Sequence, residues 1–145
     1  MSESQTPSRP VVAIRVDATS YPDATARVMQ WAGEREARMV VAANVHLTME
    51  AFDDAGYRRL INAADLITPD GMPLVWALRM QGVDAGRVYG PDLTLEVCRA
   101  AAKQGIPIGL YGSTPDCLEA FSVRMKRACP GLEIACSISP PFREL

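Results

Sequence analysis

"LITPDGMPLVWALR", residues 66–79, sets an acid and a glycine between a short apolar run and a stretch with almost nothing polar in it. "DLIT" (65–68) has the length and composition of a buried strand, and Pro69 stiffens its exit. "MPLVWALRMQ" (72–81) reads as a helix with a proline in its first turn, and its composition predicts burial on most of its circumference. Strand, tight turn and helix form the repeating unit of an α/β fold. Spacing alone leaves Asp70 two roles. It can cap the free N–H groups of the helix, or it can face a ligand beyond the carboxyl end of the strand.

The rest of the chain repeats this unit on both sides. After a polar tail (1–9), "PVVAIRV" (10–16) reads as a strand, and residues 21–38 carry Ala24, Val28, Trp31 and Ala32 on a helical period. "MVVAAN" (39–44) is a second strand. Helical sequence follows from Thr48 to Ala63, with Gly56 as the expected break. Downstream of the opening stretch, the loop "GVDAGRVYGP" (82–91) leads to a helix over 92–105 that starts on Asp92 and ends on Gly105. "IPIGLYG" (106–112) is a strand, 113–131 a helix capped by Ser113 or Thr114 ahead of Pro115, and "LEIACSI" (132–138) a last strand. The order predicts a Rossmann-like parallel sheet with helices on both faces, three layers α/β/α, as a single domain over 10–145.

Composition narrows the function. The 145 residues are 48% hydrophobic and 22% charged, a balance that buries a real core. Lys and Arg total 15 against 17 for Asp and Glu, so no bulk positive field attracts nucleic acid. Cys98, Cys117, Cys129 and Cys136 form no CxxC pair and His46 stands alone, which leaves no zinc spacing. The thiols read as buried or half-buried in a reducing compartment. The N-terminus lacks a signal-peptide core, and no apolar run approaches the ~20 residues that span a bilayer; both point to the cytoplasm.

Chemistry is expected at four junctions on strand carboxyl ends. At the first, Asn44 can hydrogen-bond a sugar hydroxyl or cap the next helix, and the lone His46 reads as a surface residue. The second is Thr68 to Gly71, where Gly71 lets a substrate approach the backbone. The third is "RVYGPDL" (87–93): Arg87 suits a phosphate oxygen beside the Gly90-Pro91 turn and a helix start, or it pairs with Asp84 or Asp92. The fourth is "GLYGSTPD" (109–116), with Gly112 and Ser113, which matches neither GxGxxG nor GxxxxGK[ST].

Together, "AADLITPDGMPLVWALRMQG", "RVYGPDL", "GIPIGLYGS" and "PGLEIACSISPPF" resemble the WecG/TagA/CpsF family of glycosyltransferases over residues 10–142. The resemblance implies transfer, with inversion, of an N-acetylmannosamine-type sugar from a UDP donor to a polyprenyl-diphosphate-linked acceptor. Such transfer serves cell-surface polysaccharide or teichoic acid synthesis. It implies no cofactor and no bound metal, a homo-oligomer as an option, and peripheral contact with the inner face of the cell membrane. Asp70 matches the aspartate of the family's PDG motif, a general base, within a substrate-binding set of Asn44, Thr68, Gly71, Arg87, Gly90, Gly112 and Ser113. Asn44 matches the asparagine of a T-x-N motif whose threonine position is Ala42 here, and Arg87 falls near the diphosphate. The family pattern continues past "PPF" with further strands, helices and a basic appendage, so the domain is expected to be incomplete at its C-terminus.

Two other readings remain at this level. One is a nucleotide-sugar-binding domain without turnover, which Ala42 and the short C-terminus favour. The other is an unrelated α/β nucleotide-binding fold, against which the missing dinucleotide fingerprint counts.

Overall fold

The computed structural model describes residues 6–141; the start of the tail (1–5) and the closing residues 142–145 lie outside the described residues. The chain is α/β and divides into two compact units, 1–93 and 94–145.

The first unit contains β1 (Ser8–Val11), β2 (Ile14–Asp17), α1 (Tyr21–Glu34), β3 (Val40–Ala43), α2 (Val45–Asp53), α3 (Ala55–Asn62), β4 (Leu66–Pro69) and α4 (Met72–Met80). α5 (Gly90–Gln104) starts within it. β3 and β4 pair in parallel, from Val40 opposite Leu66 to Ala43 opposite Pro69, and α2 and α3 form the crossover between them. β1 and β2 form an antiparallel hairpin. β2 lies beside β4 and is tied to it through a side chain: the Asp17 carboxylate accepts the Ile67 N–H at 2.7 Å. Ile14, Val16, Ile67, Leu74, Val75 and Leu78 make the centre of this unit's core.

The hairpin corrects the expected single strand over 10–16, and burial explains why. Val11 and Ile14 are both buried, and in a continuous strand residues three apart would face opposite sides. A turn at Val12 and Ala13 sets the two directly opposite each other, where partners share a face. β1 also starts at Ser8, inside the stretch assigned to the tail. The turn holds Val12 at φ 55°, a left-handed conformation that costs an L residue roughly 1–2 kcal/mol, and its side chain is 67% exposed. Val12→Gly is therefore expected to stabilise the chain by about 1 kcal/mol, after the greater unfolded-state freedom of glycine is subtracted. Thermal unfolding should show a higher midpoint; a lower one would mean that the strain is absent.

Two helices also differ from the sequence reading. The break between α2 and α3 falls at Asp54, whose N–H closes α2 onto the Glu50 carbonyl. Its Oδ1 accepts the Gly56 and Tyr57 N–H groups at 2.6 and 2.8 Å, and these bonds hold the Asp54 carboxyl below its usual range. Gly56 merely occupies the first turn of α3. α4 buries Leu74, Val75 and Leu78 but exposes Met72, Trp76 and Met80, the last at 88%. Composition gave α4 no polar face, yet burial depends on what packs against a helix, and here only one side is covered.

The second unit contains the remainder of α5, then β5 (Ile108–Tyr111), α6 (Pro115–Ala128) and β6 (Ile134–Ile138). β5 and β6 pair in parallel with an irregularity at Ile108 and Gly109. A Cβ on Gly109 would stand 2.9 Å from the Cys136 sulfur, so a larger residue there would require the Cys136 side chain to turn away. Thr114, rather than Ser113, caps α6. All four cysteines are free; Cys98 and Cys129 are buried as expected, whereas Cys117 and Cys136 are exposed. Burial, with a smaller effect of neighbouring Cys129, pushes the Cys98 thiol up.

Candidate active site

β3 and β4 end side by side, and each leads at once into a helix. Asn44 caps α2, its Oδ1 accepting the Leu47 N–H at 2.9 Å. Gly71 caps α4 without any side-chain hydrogen bond. The two helix starts adjoin: a Cβ on Gly71 would lie 3.8 Å from the Asn44 Cα. Asp70 stands between them, its N–H extending the parallel ladder by one bond to the Ala43 carbonyl at 2.9 Å. That bond keeps Asp70 extended and moves the cap to Gly71. Of the two roles that spacing leaves Asp70, the helix cap falls to Gly71 instead.

Freed from capping, the Asp70 carboxylate meets Arg87. The guanidinium Nη2 stands 3.5 Å from Asp70 Oδ1, and Nε donates to the Asp70 backbone carbonyl. The Asp70 side chain is only 16% exposed and that of Arg87 46%. Asp84 and Asp92, the carboxylates that spacing offered to Arg87, are not its partners. The guanidinium also lies over the Tyr89 ring, 4.5 Å from its centroid, a favourable cation–π distance.

Three contacts fix the segment that carries Arg87. The Val88 N–H donates to the Pro69 carbonyl at 2.9 Å, and the Thr68 hydroxyl approaches the Val88 carbonyl at 3.5 Å. The Tyr89 N–H donates to the Tyr21 hydroxyl at 3.0 Å, and that hydroxyl in turn reaches Asp92 Oδ2 at 3.4 Å. Gly90 closes the turn tightly: a Cβ there would stand 3.1 Å from the Ala42 Cβ and 3.5 Å from Asp70 Oδ2. A glycine is needed for this close approach. Gly90→Ala is expected to cost about 1–2 kcal/mol by overpacking, and Ala42→Gly in the same chain should restore most of it. Urea unfolding of the single and double variants measures both terms; no rescue would show that Ala42 is not the obstacle.

A family model described as "Glycosyl transferase WecG/TagA/CpsF family" matches residues 9–145. The chain belongs to this family. Its PDG aspartate is thus the carboxylate that the fold withholds from helix capping.

For the other positions expected from the WecG/TagA/CpsF resemblance, the outcome is mixed. Asn44, Asp70, Gly71, Arg87 and Gly90 come together at the carboxyl ends of β3 and β4. Thr68 is wholly buried, so it braces the Arg87 segment from beneath and offers no surface to a substrate. Gly112 and Ser113 belong to the second unit, at the carboxyl end of β5, with φ 115° and 60°. There the Gly112 N–H donates to the Ile138 carbonyl, and the Ser113 carbonyl accepts the Ser139 hydroxyl at 2.6 Å. His46 is exposed on α2, 3.4 Å from Glu50, as a surface residue should be. Among the described residues no three His, Cys, Asp or Glu side chains gather to hold a metal ion, and no helix is long and apolar enough to cross a membrane.

The sequence reading missed Tyr21 and Tyr89. Tyr21 opens α1 and looks like any residue after a serine cap, so nothing local marks its hydroxyl as a partner of a backbone 68 positions away.

Proposed function

We propose that this chain transfers an N-acetylmannosamine-type sugar from a UDP donor to a polyprenyl-diphosphate-linked acceptor, with inversion, at the cytoplasmic face of the membrane during cell-surface polysaccharide or teichoic acid synthesis. The observation that carries the reading is the Asp70 carboxylate at the mouth of the parallel pair, spared from capping α4 and paired with Arg87. Asp70 is the general base. It takes the proton from the acceptor hydroxyl as that oxygen attacks the anomeric carbon, while the bond from that carbon to the UDP oxygen breaks. Attack and departure on opposite faces of the sugar ring invert the configuration.

Negative charge grows on the departing diphosphate, and Arg87 with the N-terminus of α5 supplies positive charge and N–H donors to it. Asn44 has already committed its Oδ1 to the α2 cap, so it meets the donor sugar through its amide Nδ2. No metal is needed in this scheme, because the cation is a side chain.

The test is release of UDP from UDP-N-acetylmannosamine on addition of a short-chain lipid-linked N-acetylglucosamine acceptor. Acceptor-dependent release, with a product of inverted configuration, supports the transferase. Binding of the donor without release would replace it with a nucleotide-sugar-binding domain, the reading favoured by Ala42 in place of the T-x-N threonine.

A further inference from the structure

We propose that Arg87 is a latch on Asp70 that the donor diphosphate opens, so that the base becomes available only when the donor is bound. This rests on the reading of Asp70 and Arg87 as parts of one UDP-sugar site.

One carboxylate oxygen of Asp70 is engaged by Arg87 as the chain stands. Oδ1 faces the Arg87 Nη2 at 3.5 Å, and Oδ2 lies against Gly90, 3.5 Å from where a Cβ on that residue would be. Oδ1 held this way is kept from an incoming hydroxyl, and proton transfer requires hydrogen-bond reach. The hold is weak. The contact is single rather than bidentate, and nearly half of the Arg87 side chain is open to solvent. A diphosphate carries more charge than one carboxylate and accepts two parallel N–H bonds from a guanidinium, so it competes favourably for the same group.

The remaining contacts of Arg87 keep the required movement small. Nε stays bonded to the Asp70 backbone carbonyl, and the ring of Tyr89 supports the guanidinium face, while the segment itself is fixed through Val88 and the Tyr21 hydroxyl. The guanidinium can therefore turn its Nη2 from Oδ1 to a phosphate oxygen without the backbone moving. Donor binding and base release become one event, and the order of substrate addition follows: donor first, acceptor second.

The latch makes a prediction about binding alone. If the diphosphate must displace the carboxylate, removing the carboxylate's charge tightens UDP. Calorimetric titration of UDP into the wild-type chain, Asp70→Asn, Arg87→Gln and the double variant separates the contributions, with Arg87→Lys as a second probe that retains the charge. Asp70→Asn is expected to bind UDP about 3- to 10-fold more tightly and Arg87→Gln more weakly, and in the Arg87→Gln background the gain from Asp70→Asn should vanish. Arg87→Lys should keep part of the gain, because an ammonium still has a carboxylate to leave.

An equal gain in the Arg87→Gln background would reduce the effect to simple charge repulsion and overturn the latch. An unchanged or weaker affinity in Asp70→Asn would overturn it too, while Arg87-dependent UDP binding would leave the donor site standing. Failure of the wild-type chain to bind UDP removes the donor-site reading and the latch with it.

Discussion

Asp70→Asn should lower sugar transfer by about 100- to 10,000-fold, the usual contribution of a positioned general base, while leaving the fold unchanged. The second half of that expectation comes from the geometry. Gly71, not Asp70, caps α4, so the substitution removes no cap. The bond from the Asp70 N–H to the Ala43 carbonyl and the one from Arg87 Nε to the Asp70 carbonyl both use the backbone and survive. Acceptor-dependent UDP release measures the first half and the thermal midpoint the second. A variant that keeps more than about a tenth of the wild-type rate would remove Asp70 from the role of base. Combined with the latch, the substitution should give a chain that binds UDP more tightly and turns over hardly at all. Neither a structural role nor a capping role produces that pair of effects.

The largest effect on stability is expected at Asp17. Its carboxylate is buried at the end of β2, accepts the Ile67 N–H at 2.7 Å and stands 3.3 Å from Arg15, doing the work that a strand hydrogen bond would do between β2 and β4. Asp17→Ala leaves a buried N–H unsatisfied and should cost about 3 kcal/mol. Asp17→Asn keeps an acceptor oxygen in place and should cost far less. The pH dependence tests the cost of the buried charge. Burial raises the Asp17 pKa above 3.8, and the Ile67 N–H, Arg15 and Arg27 oppose this without cancelling it. A raised folded-state value means that Asp17 favours the folded chain most at pH below 3.8, and that this contribution is lost as pH climbs through the folded pKa. Relative to wild type, Asp17→Asn should therefore gain stability between pH 4 and pH 7, as urea unfolding at about these two values would show. A difference that stays flat with pH would mean that the buried carboxylate bears no cost when charged.

Much of the fold was legible locally. The alternation of short apolar runs with helical periods placed every helix and all but one of the strands, because Pro69, Pro115 and Gly105 act on their own φ angles and need no distant partner. The hairpin at Val12 was not legible, since "PVVAIRV" has the composition of one strand and carries no Asn-Gly or Gly at the turn. The break at Asp54 was misplaced by two residues for a related reason: glycine is the usual breaker, but a carboxylate that accepts two N–H groups starts a helix more firmly.

For the site, the sequence by itself determined that an acid, a glycine and an arginine lie at strand ends in an α/β chain, and its motifs placed them in the WecG/TagA/CpsF family. Only the tertiary structure decided what the acid does with its carboxylate. Spacing offered Asp70 a helix cap one turn away, and the ladder bond to Ala43 shifted the cap to Gly71. It offered Arg87 two nearby acids, and packing of the Val88 segment on Pro69 delivered it to one 17 positions earlier. Thr68, indistinguishable in sequence from a substrate contact, was sealed beneath that segment. Periodicity and turn chemistry report the preferences of a residue and its near neighbours, whereas the partner of a polar side chain is set by which surfaces the core brings together.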